Sequence, residues 1–322
     1  MTNPFVAQGP AAPQVLQPGA SREQIVAAVN QNSGRVQSLT VTNAAITIPD
    51  TMGLPILNGN IAAERPGRFR LTAATSVTGQ EMDLGSNDEL FWLWVRRNQP
   101  PAVYFCRHSQ FAGSNIRQVM PIEPAWLLAA IGMVDLDPAM VFDGPLPSPR
   151  GDGTVELRAW LPSAGGNLQR VLLIDARRAW VVEQHVYDPA GTTLLASAVA
   201  ETHRYYPVEQ VSLPERVSIR LPTANMALKI NLGTMQINQL QGDRAQLWSL
   251  PTFEGSPQYD LGGAVPGTPL PGQTAPQSIS SGVLPTAYPV VPHGNAAPVP
   301  TTSPSAIIGP LPRYGERHRT LR

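Results

Sequence analysis

The chain has 322 residues, 42% of them hydrophobic, and its 23 basic residues balance 23 acidic ones. Zero net charge supplies no overall field to gather nucleic acid or an anionic membrane. A single cysteine, Cys106, excludes an internal disulfide and any cysteine-paired zinc site. No run reaches the ~20 apolar residues of a membrane-spanning helix, so no transmembrane segment is expected.

Met1-Thr2-Asn3-Pro4-Phe5 lacks the basic-then-apolar order of a signal peptide. Residues 1–20, rich in Pro, Gln, Ala and Gly, are expected to form a disordered tether. Ser21 followed by Gln24 then has the form of a capping box, which opens a helix. Ile25, Val26 and Val29 give it an apolar stripe, and Gly34 a stop.

Segments that alternate follow at 36–48, 55–64, 67–75, 79–86, 89–97 and 101–108. Turn chemistry separates them at Arg65-Pro66-Gly67, Ser86-Asn87-Asp88 and Asn98-Gln99-Pro100. Sequential short strands with tight links predict an antiparallel meander. Residues 109–122 have little pattern. Glu123-Pro124-Ala125-Trp126 then starts a second helix whose apolar side is Trp126, Leu127, Ala130, Ile131 and Val134. Strands resume at 154–161, 168–175, 179–187, 193–206, 215–221 and 225–232. From 251 to 322 the chain holds 14 of its 34 prolines, and a disordered tail is expected there, leaving one domain over 21–250.

Side chains alternate across a strand, and pairs across a hairpin share a face. With Asn87 and Asp88 as a loop, Leu84 opposes Phe91 and Met82 opposes Leu93. With Asn98 to Pro100 as the next loop, Leu93 opposes Phe105 and Val95 opposes Val103. One face thus collects Met82, Leu84, Phe91, Leu93, Val95, Val103 and Phe105; the other collects Glu81, Asp83, Trp92, Trp94, Tyr104 and Cys106. Val217, Ile219 and Leu221, and later Leu228, Ile230 and Leu232, repeat the one-sided pattern. Two helices are too few to cover about a dozen strands. The expected fold is therefore mainly β with a few helices (α+β): an antiparallel meander curled into an incompletely closed barrel with a helical lid.

Catalytic motifs are missing: no GxSxG, HExxH, P-loop or GxGxxG run is present, and no cofactor or metal is expected. His185 and His203 fall on neighbouring strands but are separated in register. Cys106 and His108 share a strand face without an oxyanion hole. Asp135, Asp137 and Asp152 read as turn residues. The expectation is a protein that binds rather than catalyses.

The order helix, meander, lid helix, meander resembles the LolA/LolB-like lipoprotein carriers and receptors of the bacterial envelope. The local likeness is carried by Glu64-Arg65-Pro66-Gly67-Arg68-Phe69-Arg70-Leu71, then Gly79 to Asn87 and Glu89-Leu90-Phe91-Trp92-Leu93-Trp94, within about 21–235. The resemblance implies a half-open barrel whose apolar cavity takes lipid or the acyl chains of lipoproteins. Its lining is expected from Phe69, Leu71, Met82, Leu84, Phe91, Leu93, Phe105, Trp126, Leu127 and Ile131. The resemblance also implies the periplasm or an outer-membrane lipoprotein, although no lipidated Cys precedes Cys106. The alternative is an envelope scaffold that binds a protein partner through an exposed sheet face bearing Trp92, Trp94 and Tyr104.

Overall fold

The computed structural model describes residues 10–49, 56–98, 101–113, 123, 125–163 and 166–262. Helix α1 (Arg22–Ser33) begins with the capping box in place: Ser21 Oγ accepts from the Gln24 N–H, and Gln24 Oε1 accepts from the Ser21 N–H. It ends at Gly34 in the right-handed region, φ −65°; a Cβ there would stand 2.7 Å from the Asn30 carbonyl oxygen. Gly34 is therefore a stop through close approach, not through a left-handed turn.

The first meander is β1 (Ser38–Thr47), β2 (Leu57–Glu64), β3 (Arg68–Thr75), β4 (Gly79–Ser86), β5 (Leu90–Val95) and β6 (Val103–Arg107). After helix α2 (Ala125–Ala130) comes β7 (Phe142–Pro147), then β8 (Thr154–Leu161), β9 (Leu168–Asp175), β10 (Val181–Tyr187), β11 (Leu194–Tyr206), β12 (Val211–Leu221) and β13 (Met226–Asn231). Strand β13 pairs antiparallel with both β12 and β1, which joins the two meanders into one sheet. Among the described residues that sheet has 15 strands and two ends, β7 and β15 (Gln258–Asp260), so it does not close. The short β14 (Met235–Ile237) pairs with β1 beside β13. No described helix is long and apolar enough to cross a membrane.

Curling follows from the one-sided apolar pattern. A single buried cluster draws Leu39 and Val41 from β1, Phe69 and Leu71 from β3, Phe91 and Leu93 from β5, and Val217 and Ile219 from β12. Strands that lie four apart in the sheet order can meet this way only if the sheet wraps over its apolar face. Helix α2 lies in the concavity, with Trp126, Leu127, Leu128 and Ala130 in the same cluster. Val134 lies beyond the end of α2. Together with Ile25, Val26 and Val29 of α1 it joins a second cluster over β8 and β9.

Two registers differ from the sequence expectation. Across β4 and β5, Leu84 opposes Leu93 and Ser86 opposes Phe91, because the Asn87 carboxamide accepts from the Glu89 and Leu90 N–H groups and moves the turn to Asp88-Glu89. That shift of two leaves the faces intact. Across β5 and β6 the shift is one: Leu93 opposes Tyr104 and Phe91 opposes Cys106. A one-residue slip exchanges every side chain between faces. Tyr104 and Cys106 thus enter the concave core, while Phe105 turns outward.

The packed region also reaches past the expected limits of 21 and 250. Leu16 is buried against α1, and the N–H groups of Val15 and Leu16 donate to the Arg177 carbonyl. At the other end, α3 (Arg244–Leu247) and β15 continue the packing, with β15 parallel to β6. This places a strand beside the edge of β6. The rest of the expected tether and tail, 1–9 and 263–322, falls outside the described residues.

Candidate functional site

Nine of the ten expected lining residues come together. Phe69, Leu71, Met82, Leu84, Phe91, Leu93, Trp126, Leu127 and Ile131 all belong to the concave cluster, and Phe105 alone does not. Most are packed against one another; open space lies at the two ends of the cluster. At one end a cavity of about 680 Å³ is bordered by Leu57, Met82, Val95, Met226 and Leu228, with Glu81, Arg97 and Arg220 also at its wall. At the other, a cavity of about 340 Å³ is bordered by Phe111, Trp126, Leu128, Met133, Leu168 and Val186.

Charged groups at the smaller cavity differ in their state. Arg65, in the β2–β3 turn, is fully engaged: Nε donates to the Val36 carbonyl at 3.0 Å, and Nη2 donates to Val134 at 3.0 Å and Ser33 at 3.3 Å. Its Nη1 lies 3.6 Å from Asp135. This one guanidinium ties the turn to the end of α1 and to the chain that follows α2. Arg170 is different. It stands on β9 in file with Leu168, Leu172 and Ile174, so alternation carries it into the concavity. It is 9% exposed, its Nη2 reaches Gln184 Oε1 only at 3.4 Å, and its Nε has no partner. Burial lowers its pKa from the usual range to about 10, with Asp135 opposing that shift. The Trp126 indole N–H, at the same cavity, is also buried without a partner.

The outer face carries the opposite arrangement. Trp92, Trp94 and Tyr104 are 0%, 6% and 5% exposed, which corrects the expectation of an exposed aromatic face. Tyr104 points into the core after the register shift. Trp92 lies across Gly85, where a Cβ would come within 2.1 Å of the ring, and its N–H donates to Asp83 at 2.9 Å. Trp94 stacks on Phe253 with centroids 3.8 Å apart and donates to Ser256 Oγ at 3.1 Å. The chain's own segment after α3 covers this face.

Groups considered for chemistry do not assemble. Cys106 is in the core, whereas His108 begins a 3₁₀ turn and lies 2.8 Å from the Asn87 carbonyl oxygen. His203 stacks on Trp180, away from His185. His185 does lie between Glu183 Oε2 at 3.0 Å and Ser197 Oγ at 3.1 Å, because it pairs with Ser197 across β10 and β11. That trio is on the outer face, on the side away from the concave Gln184 and Val186. Strands β10 and β12 flank β11 there, so the backbone around Ser197 is committed to ladders instead of converging on an oxyanion. Among the described residues no group of His, Cys, Asp and Glu could hold a metal ion.

Sequence reasoning missed Arg170 and the engaged role of Arg65. A signal for Arg170 was present: one charged side chain interrupts an otherwise apolar file over 168–174.

No family model matches the chain, and no curated protein matches it. Among solved structures it is similar to an outer membrane lipoprotein-sorting protein domain from Vibrio parahaemolyticus. Identity is 10% and the TM-score 0.47, over 69% of this chain and 95% of that one. It is also similar to a DUF1329 family protein from Desulfovibrio piger, with 10% identity and a TM-score of 0.44, over 70% of this chain and 97% of that one. These similarities concern the arrangement of the fold.

Proposed function

We propose that the chain is a non-catalytic binding protein of the bacterial envelope that holds an acyl chain, from a lipid or a lipoprotein, along its concave face. The observation that carries this reading is continuity: one apolar cluster spans the concavity and borders a cavity at each end. An acyl chain needs such a surface and little else, since each buried CH₂ contributes about 0.8 kcal/mol without directional contacts. Met82, Met226 and Met133 at the cavity walls are unbranched and adapt to a sliding chain. Phe69, Leu71, Leu84, Phe91, Leu93, Leu127 and Ile131 form the packed core between the two openings. The envelope assignment rests on the resemblance carried by residues 64–94.

Native mass spectrometry of gently purified protein, followed by titration with the fluorescent fatty acid cis-parinaric acid, tests the reading. The expected result is co-purified acyl species and saturable uptake. Met226→Trp and Ala125→Trp each fill an opening from a position that is not in the core. Each should weaken uptake about tenfold, roughly the loss of two buried methylenes. Protein that carries no acyl species and takes up no parinaric acid would overturn the proposal.

A further inference from the structure

The cavity beside α2 contains more than an acyl chain requires. Arg170 is a cation in an apolar file, and among the described residues no carboxylate lies within ion-pair distance of it. Asp135, which acts on it from a distance, is turned to solvent and shared with Arg65. Glu123, also at this cavity, is exposed. The second buried donor without a partner, the Trp126 N–H, belongs to a residue that also lines this cavity. Their neighbour Gln184 is already committed, since its Nε2 donates to the Trp126 carbonyl at 3.2 Å. A buried guanidinium with an open N–H is costly as it stands, and an anion that accepts from it removes that cost.

We propose that this cavity receives the anionic head of the bound amphiphile, a phosphate or carboxylate held by Arg170 Nε and the Trp126 N–H. The proposal rests on the acyl-chain reading above and narrows its ligand to anionic amphiphiles whose head fits a cavity of about 340 Å³. The tail leaves past Phe111, Leu128, Met133 and Val186 toward the concave core. Arg65 is the lesser candidate, since its Nε and Nη2 are spent on backbone carbonyls and its Nη1 lies 3.6 Å from Asp135. It sets the mouth of the cavity while Arg170 waits at its wall.

Calorimetric titration of the full chain with dodecyl phosphate, with monolaurin of equal chain length, and with inorganic phosphate separates the head from the tail. Wild type should bind dodecyl phosphate about tenfold or more tighter than monolaurin, the scale of a charge-assisted hydrogen bond. Arg170→Met should abolish that preference, read as the ratio of the two affinities within the same variant. Equal binding of the two amphiphiles by wild type, or a preference that survives in Arg170→Met, overturns the proposal. Arg170-dependent binding of inorganic phosphate without either amphiphile would uphold the anion site and sink the acyl-chain reading alone. Binding of none of the three sinks both. If Arg170→Met fails to fold, Trp126→Phe decides: it keeps an aromatic ring and removes the N–H. A preference undiminished in that variant overturns the proposal.

Discussion

Two clusters in this molecule are built from the same residue types and end in opposite states. On the outer face Arg70, Trp92 and Asp83 close on one another: Asp83 accepts from Trp92 at 2.9 Å, from Arg70 at 2.8 Å and from Gln80 at 3.1 Å. In the concavity Arg170 and Trp126 each keep an N–H without a partner. The difference is a carboxylate and, for Arg70, the Gln246 and Leu247 carbonyls, which accept from its Nη1 at 2.8 and 3.2 Å. Where such acceptors are present, the arginine and the indole hold the sheet together; where they are absent, the two form a receptive wall. A buried arginine beside a tryptophan therefore says little about role until its acceptors are counted.

The sharpest way to break this contrast is to make the first cluster resemble the second. Asp83→Ala leaves Arg70 and the Trp92 N–H buried without their acceptor. It should cost about 3–5 kcal/mol, read as a lower urea midpoint in tryptophan fluorescence. Combining it with Arg70→Met should recover part of that loss, because the stranded charge goes with it. If Asp83→Ala costs under about 1 kcal/mol, the closed cluster is not what stabilises this face.

A smaller effect is expected from the cover. Phe253→Ala removes the ring stacked on Trp94 and should cost about 1–2 kcal/mol, since the pair itself contributes about 0.5–1.5 kcal/mol beyond buried area. Acrylamide should then quench Trp94 more strongly while leaving acyl-chain uptake unchanged, because this face is separate from the concave one. Loss of uptake in Phe253→Ala would show that the two faces are coupled.

The cover also marks where the sequence stops being legible. Strands β2 to β5 and β8 to β11 stand within a residue or two of their predicted limits, because alternation and turn residues mark each end. Strand β7, Phe-Asp-Gly-Pro-Leu-Pro, and the three-residue β14 and β15 carry too little pattern to be seen. Phe253, Tyr259 and Leu261 are diluted among prolines and glycines, yet Leu261 is buried in the concave cluster and Phe253 packs on the outer one. The face of β6 was lost for a different reason. Hairpin counting through a multi-residue loop does not settle parity, and parity decides whether Tyr104 or Phe105 lies inside. The apolar half of the site was thus readable from alternation, whereas its polar half was not. Arg170 becomes informative only when its missing acceptor is seen in three dimensions.

The smallest expected effect on stability is the one that separates the clusters most cleanly. Arg170→Met removes a buried cation whose best contact is a 3.4 Å approach to Gln184, and puts an apolar chain of similar reach among Leu168, Leu172 and Val186. Replacing buried charge by packed apolar volume is commonly neutral or stabilising, by up to about 1–4 kcal/mol for a whole ion pair. The Gln184 side chain loses a weak donor but keeps its own bond to the Trp126 carbonyl. The urea midpoint of ligand-free Arg170→Met should therefore equal or exceed that of wild type, in contrast to Asp83→Ala. A fall of more than about 1 kcal/mol would mean that Arg170 is a structural group of the same kind as Arg70, and the distinction between a closed and a receptive cluster would fail at its central residue.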